Sequence, residues 1–279
     1  METLSWFWPL SLGLFDLLFG SFANVLIWRF PRGESVVSPG SHCPSCSRPV
    51  RWFDNVPLVS WLVLRGRCRD CGEPISARYP LVEALCGVLW FAAGLRYGLS
   101  LSAGACAAFF WLLLVLAFID LDTYRLPNAL VVALAAFGVV GVVASQAFGS
   151  TVLPLVGVSP EGALRQPAIS AVVGVALGAG LSGGIAWLYG RLRGRTGLGM
   201  GDVKLLGAMG LFLGPYVLMA LGLGSMVGAV VGLAGAKRAA ESAATHRIPF
   251  GPFLALGGAA AALTGPALWT WYMAVVGAA

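Results

Sequence analysis

Ser102-Ala-Gly-Ala-Cys-Ala-Ala-Phe-Phe-Trp-Leu-Leu-Leu-Val-Leu-Ala-Phe-Ile119 is an unbroken apolar run that ends on Asp120. As a helix its 18 residues rise about 27 Å, close to the ~30 Å hydrocarbon core of a bilayer. Similar runs recur at Leu4–Trp28, Leu81–Leu95, Ala129–Phe148, Ala168–Leu188, Val203–Leu213, Tyr216–Ala236 and Phe253–Val276. The chain is 58% hydrophobic and 11% charged with a mean hydropathy of +0.84, against roughly 25% charged in soluble domains. Its 38 glycines suit close helix packing in lipid. Backbone polar groups in a bilayer must be satisfied internally. The expectation is an all-α polytopic membrane protein of about eight transmembrane helices.

Two of these runs need comment. Leu4–Trp28 has no basic residue before it and no small-residue cleavage site after it, so it reads as a retained span rather than a signal peptide. Val203–Leu213 rises only about 17 Å. It must be tilted, embedded in protein or extended at one end, and Gly214-Pro215 turns the chain into the next run.

The net charge of +6 reads first as topology. Of the 18 Lys and Arg, only Arg96 and Arg165 fall outside one alternating set of gaps between spans. That is the positive-inside pattern. It places both termini outside and the polar segment 29–79 in the cytoplasm. The organisation is therefore a first transmembrane helix over 1–28, a small cytoplasmic domain over 29–79 and a transmembrane core over 80–279. The second polar segment, Gly149–Pro167, lies outside and carries no readable chemistry.

Within 29–79, Cys43-Pro-Ser-Cys46 and Cys68-Arg-Asp-Cys71 form two CxxC pairs with 21 residues between them. Each two-residue gap lets both thiolates of a knuckle face one ion, and two knuckles close a tetrahedron with no open position. Two disulfides would use the same residues, but a cytoplasmic segment is reducing. The expectation is a zinc-ribbon-like domain with a structural zinc or similar metal on Cys43, Cys46, Cys68 and Cys71. A ribbon rich in arginine could also bind nucleic acid; holding the domain at the anionic inner leaflet is the simpler reading, and no nucleic acid is expected. His42 reads as a solvated neighbour of Cys43, and Cys86 and Cys106 as small residues inside spans.

Asp120 and Asp202 are the chemical signal. A carboxylate at bilayer depth costs on the order of 3 kcal/mol even on the lenient insertion scale. Each sits at an end of an apolar run, and the topology puts both near the cytoplasmic face. Paired carboxylates share a proton, so one can take a proton from water while the other polarises a carbonyl. That is aspartic-protease chemistry. Asp122 is placed to tune the pair, Gly199 and Gly201 allow close backbone approach, and Lys204 is a charge neighbour. The plainer readings are a solvated helix end for Asp120 and Asp122, and a helix N-cap for Asp202. Membrane aspartates also serve proton-coupled transporters, but these favour mid-membrane sites and inverted repeats. Neither is evident here. A membrane-anchored nucleic-acid module would leave the aspartates unexplained.

Several blocks in order carry a resemblance. They are Ser21-Phe-Ala-Asn-Val-Leu-Ile-Trp-Arg29, the two knuckles, Arg51-Trp-Phe-Asp-Asn55-Val-Pro-Leu-Val-Ser60-Trp61, Ile75-Ser-Ala-Arg-Tyr79-Pro-Leu-Val-Glu83, Ile119-Asp-Leu-Asp122 and Gly199-Met-Gly-Asp202. Together they resemble the bacterial type IV prepilin peptidases, membrane aspartyl proteases of the GxGD kind, and the likeness covers nearly the whole chain. It implies cleavage of prepilin or pseudopilin leaders at the cytoplasmic face of the inner membrane, after glycine. It further implies N-methylation of the new terminus with S-adenosylmethionine. Carried over, the essential aspartates fall on Asp120 and Asp202; Asp120 is preferred to Asp122 because shorter relatives in the family keep an aspartate seven positions before the Pro-Asn, here Pro127-Asn128. The Gly149–Pro167 insertion is longer than the resemblance leads one to expect. No methyl-donor motif is readable. Glu83 and Gly87 are the candidates for methyl transfer, with a snorkelling carboxylate and a helix-packing glycine as their plainer readings.

Overall fold

The computed structural model describes residues 6–148, 152–153, 155–156, 165–194, 197–239 and 248–276. Arg195, His246 and Arg247 lie outside the described residues. The helices are α1 (Phe7–Arg29), α2 (Val59–Val63), α3 (Arg78–Tyr97), α4 (Leu101–Thr123), α5 (Asn128–Phe148), α6 (Pro167–Val175), α7 (Ser182–Arg193), α8 (Met200–Leu213), α9 (Val217–Ala239) and α10 (Gly251–Val276). Among the described residues there is no β-strand longer than an isolated bridge. Among the described residues, seven helical stretches are long and apolar enough to cross a membrane. One of them, Met200–Gly235, is two helices, α8 and α9, parted by a 3-10 turn at Gly214–Tyr216. The protein is an all-α polytopic membrane protein, and the chain divides into two compact units, Met1–Leu99 and Ser100–Ala279.

In the first unit α1 and α3 pack along a seam of small residues. A Cβ at Gly20 would stand 2.8 Å from the Glu83 Cα, and one at Gly94 would stand 2.7 Å from the Pro9 Cα. Glycine here brings backbone against backbone, the packing that lipid favours because apolar side chains gain nothing over lipid tails. The polar segment between the helices is built on turns. Its short α-helix, α2, follows Leu58, whose φ of +59° puts a branched residue in a sparsely occupied region. The Glu83 carboxylate accepts from the Leu58 N–H at 2.8 Å, so α3 itself secures that turn.

In the second unit α8 is the inner helix. Val203, Leu205–Gly210, Phe212 and Leu213 are all buried. The ring of Phe212 stacks between Phe109 of α4 (4.7 Å) and Phe137 of α5 (5.9 Å). On the side of α6, Gly174 and Gly210 face one another so closely that a Cβ on either would collide with the other's carbonyl oxygen. The shortness expected from the sequence is thus met by embedding in protein, together with extension by Met200–Asp202 at the N-terminal end. Between α6 and α7 the helix widens into a π segment, Ala176–Leu181. There Gly178 meets the Leu206 carbonyl.

Candidate active site and metal cluster

One end of the second unit collects α4's C-terminus and the N-termini of α5, α8 and α10. Asp120 lies in the last turn of α4 and is 5% exposed. Its Oδ2 accepts from the Gly251 N–H, the first residue of α10, at 2.9 Å. Free N–H groups at a helix start suit a carboxylate. Asp202 sits in the first turn of α8, close enough to Asp120 for the two carboxylates to interact electrostatically. The chain reverses after Asp120 because Tyr124 takes a left-handed conformation and caps α4 on the Asp120 carbonyl. Thr123 Oγ1 donates to the carbonyls of Ile119 and Arg125.

The supporting candidates are spread more widely. Gly199 faces Asp202 itself, its Cβ position 3.0 Å from Asp202 Oδ2, and Gly201 packs on Leu126. A side chain at Gly201 would press on Leu126, whereas one at Gly199 would press on the Asp202 carboxylate itself. Lys204 donates to Asn128 Oδ1 at 3.0 Å, tying α8 to the start of α5. Asp122, two residues after Asp120 in the same last turn of α4, is exposed. Sequence reasoning missed Gly251. The available signal was Phe250-Gly251-Pro252, a glycine and a proline opening the last apolar run.

In the first unit the Sγ atoms of Cys43, Cys46, Cys68 and Cys71 lie within 4.8 Å of one another, and no disulfide joins them. Four thiolates on one ion at ~2.3 Å stand about 3.8 Å apart in a tetrahedron; Cys43 Sγ and Cys71 Sγ are 3.8 Å apart. The two knuckles repeat one turn. Cys43 N–H bonds the Arg48 carbonyl and Ser47 N–H the Cys43 carbonyl; Cys68 N–H bonds the Glu73 carbonyl and Gly72 N–H the Cys68 carbonyl. Ser47 and Gly72, at the matching place, both have positive φ.

Backbone N–H groups of Cys46 and Ser45 pull the Cys43 thiol down to about 6. Cys71 moves to about 12: the Glu73 N–H favours its thiolate, but burial and the sulfurs of Cys68, Cys46 and Cys43 outweigh it. Four sulfurs this close cannot all be anionic without a cation between them, so the donor set fits a metal. Beside it Arg69 forks onto Asp54, with Nε at 2.8 Å and Nη2 at 2.6 Å. The Arg69 guanidinium holds the Asp54 carboxyl below the usual range.

Glu83 is buried at the base of this segment. Gly87 lies one turn on, within the α1–α3 seam, where its Cβ position is 3.3 Å from the Gly13 carbonyl. The structure therefore separates the candidates: the aspartates in the second unit, the cysteines with Glu83 and Gly87 in the first.

The family model described as Bacterial Peptidase A24 N-terminal domain matches residues 14–97, and that described as Type IV leader peptidase family matches 107–233. The gap between the matches brackets the boundary between the two structural units. A protein of Aeromonas hydrophila named Prepilin leader peptidase/N-methyltransferase is 35% identical over 298 residues, covering 97% of this chain and 95% of its own length. One of the same name from Stutzerimonas stutzeri is 36% identical over 92% of this chain and 91% of itself. Another, from Myxococcus xanthus, is 41% identical over 78% of this chain and 60% of itself. No solved structure matches. With two successive family models matched in order, and relatives above 30% identical along almost its whole length, this chain belongs to the type IV leader peptidase family.

Proposed function

We propose that the protein is an inner-membrane aspartic endopeptidase that removes the leader of prepilins or pseudopilins after glycine and then N-methylates the new terminus. Asp120 and Asp202 are its catalytic pair. The observation that supports the reading is that Asp120 of α4 and Asp202 of α8 lie close enough to interact electrostatically, with Asp120 held by the Gly251 N–H. An ionised carboxylate takes a proton from water, whose oxygen attacks the scissile carbonyl carbon. The protonated partner donates to the carbonyl oxygen as it gains charge. The tetrahedral intermediate then breaks its C–N bond, and the leaving nitrogen takes a proton from the pair. Gly251 fixes Asp120 Oδ2 as an acceptor and so restricts which oxygen meets the water.

S-adenosylmethionine, when bound, would supply the methyl group to the neutral terminal amine, which loses a proton, leaving S-adenosylhomocysteine. Cys43, Cys46, Cys68 and Cys71 would hold a structural zinc that ties the polar segment of the first unit together, and the positive-inside pattern supports a cytoplasmic side for that segment with both termini outside. Asp120→Asn and Asp202→Asn should each abolish leader cleavage by purified, inserted protein. The pair acts as a unit, so the double variant should be little worse than either single. Full cleavage by either single variant would remove the catalytic assignment.

A further inference from the structure

The first unit holds a cavity of about 580 Å³ between its polar segment and the adjoining ends of α1 and α3, within the ~300–1,000 Å³ that drug-sized ligands occupy. Arg29, at the end of α1, lines it and is only 9% exposed. Its guanidinium donates to the carbonyls of Ser35 (3.0 Å) and Gly40 (3.3 Å) and meets no carboxylate among the described residues. A buried guanidinium without a counter-charge is costly. Its remaining N–H groups are suited to a carboxylate or phosphate that comes with a ligand. The same cavity is lined by two carboxylates, Glu34 and Glu83, and by the aromatic rings of Trp28, Trp61 and Tyr79. One Trp61 edge is fixed by its Nε1–H, 3.1 Å from the Ile75 carbonyl, and Gly66 packs on its ring.

Anion-binding, cation-binding and aromatic groups in one enclosure match a molecule with a carboxylate, a cationic centre and a flat base. We propose that this cavity is the seat of S-adenosylmethionine, with Arg29 taking its carboxylate. Glu34 and Glu83 face its sulfonium and ammonium charges, and the rings receive the adenine. This rests on the methyl-transfer half of the proposed function. Arg29 and Glu83 are binding residues here; Glu83 also keeps its bond to Leu58.

Three probes separate the contributions in titrations of the full-length, detergent-purified protein. S-adenosylmethionine carries carboxylate and sulfonium, S-adenosylhomocysteine lacks the sulfonium, and 5′-methylthioadenosine lacks the carboxylate. Arg29→Gln should weaken the first two by roughly tenfold or more, as loss of a charge-assisted bond does, and leave the third unchanged. Glu34→Gln should weaken S-adenosylmethionine more than S-adenosylhomocysteine. Metal content and unfolding temperature verify that the variants fold, and Arg29→Lys, which keeps charge but loses the fork, should fall between. Photo-crosslinking of S-adenosylmethionine to the unmodified protein should label peptides within residues 21–83. Labels confined to residues 100–279, or S-adenosylhomocysteine binding indifferent to Arg29→Gln, overturn the proposal. So does displacement of S-adenosylhomocysteine by phosphatidylglycerol vesicles but not by phosphatidylcholine ones, which would assign Arg29 to a lipid phosphate. Protein that binds none of the three probes and methylates no cleaved pilin overturns the methyl-transfer reading itself.

Discussion

The Gly251 N–H stands 2.9 Å from Asp120 Oδ2, and a Cβ at position 251 would stand 2.7 Å from that same oxygen. One backbone position both holds the carboxylate and leaves it room. Gly251→Ala therefore keeps the N–H but drives the carboxylate aside. A displacement near 1 Å costs about a hundredfold in rate, so kcat for leader cleavage should fall by roughly ten- to hundredfold with the unfolding temperature little altered. Cleavage at the parental rate would show that Gly251 does not position Asp120.

On the proposed mechanism leader cleavage should follow a bell-shaped pH profile, because one carboxylate must be ionised and the other protonated and either limit removes a partner. The two apparent values belong to the pair and not to one residue. On that mechanism neither His42, exposed in the first unit, nor His246 is needed. A His42→Gln, His246→Gln double variant should retain the whole profile; its inactivation in folded protein would redirect the mechanism to a histidine base.

Purified protein should hold about one tetrahedral metal ion per chain. The ion should leave on acidification, since bound thiolates must take up protons to release it. Cys68→Ser should lose the metal and impair methylation at least as much as cleavage. Stoichiometric disulfides in protein taken directly from a reducing cytoplasm would reject the site.

The Asp54–Arg69 pair gives the polar segment a second pH signature. The Asp54 carboxyl is held below its ordinary value, first by its hydrogen bonds from Arg69. Its contribution is therefore complete above the usual carboxylate range and disappears as pH falls through the lowered, folded value. Asp54→Asn should flatten the acid limb of the segment's stability, read from metal retention under mild denaturant. An unchanged acid limb would leave the pair without that role.

Much of this was legible because bilayers impose strong rules. Apolar length located the spans, and CxxC spacing located a cluster whose four sulfurs come together. Asp120 and Asp202 stood out as candidates because carboxylates adjoining apolar runs are rare, and their chemical role rests on the proposed function. Gly251 did not stand out, since its contribution is a backbone N–H, invisible in residue type and 131 positions from its partner. Asp16 also escaped. It is enclosed within a Phe- and Leu-rich run, and it is completely buried with neither oxygen hydrogen-bonded among the described residues. Nor does spacing reveal that Arg29, at the end of a span, turns into a cavity. That depends on how the loop carbonyls of Ser35 and Gly40 fold back upon it.

The Gly174–Gly210 contact has a mechanical consequence. Where two backbones touch, no side chain can rotate to absorb a shift, so α8 behaves as an anvil carrying Asp202 at its tip. Asp120, by contrast, is restrained by one hydrogen bond from the first residue of α10. Accommodation of a substrate should thus come from the Asp120 side. Hydrogen exchange should find Leu205–Gly210 among the slowest amides in the protein and the first turn of α10 markedly faster, with substrate binding slowing the latter.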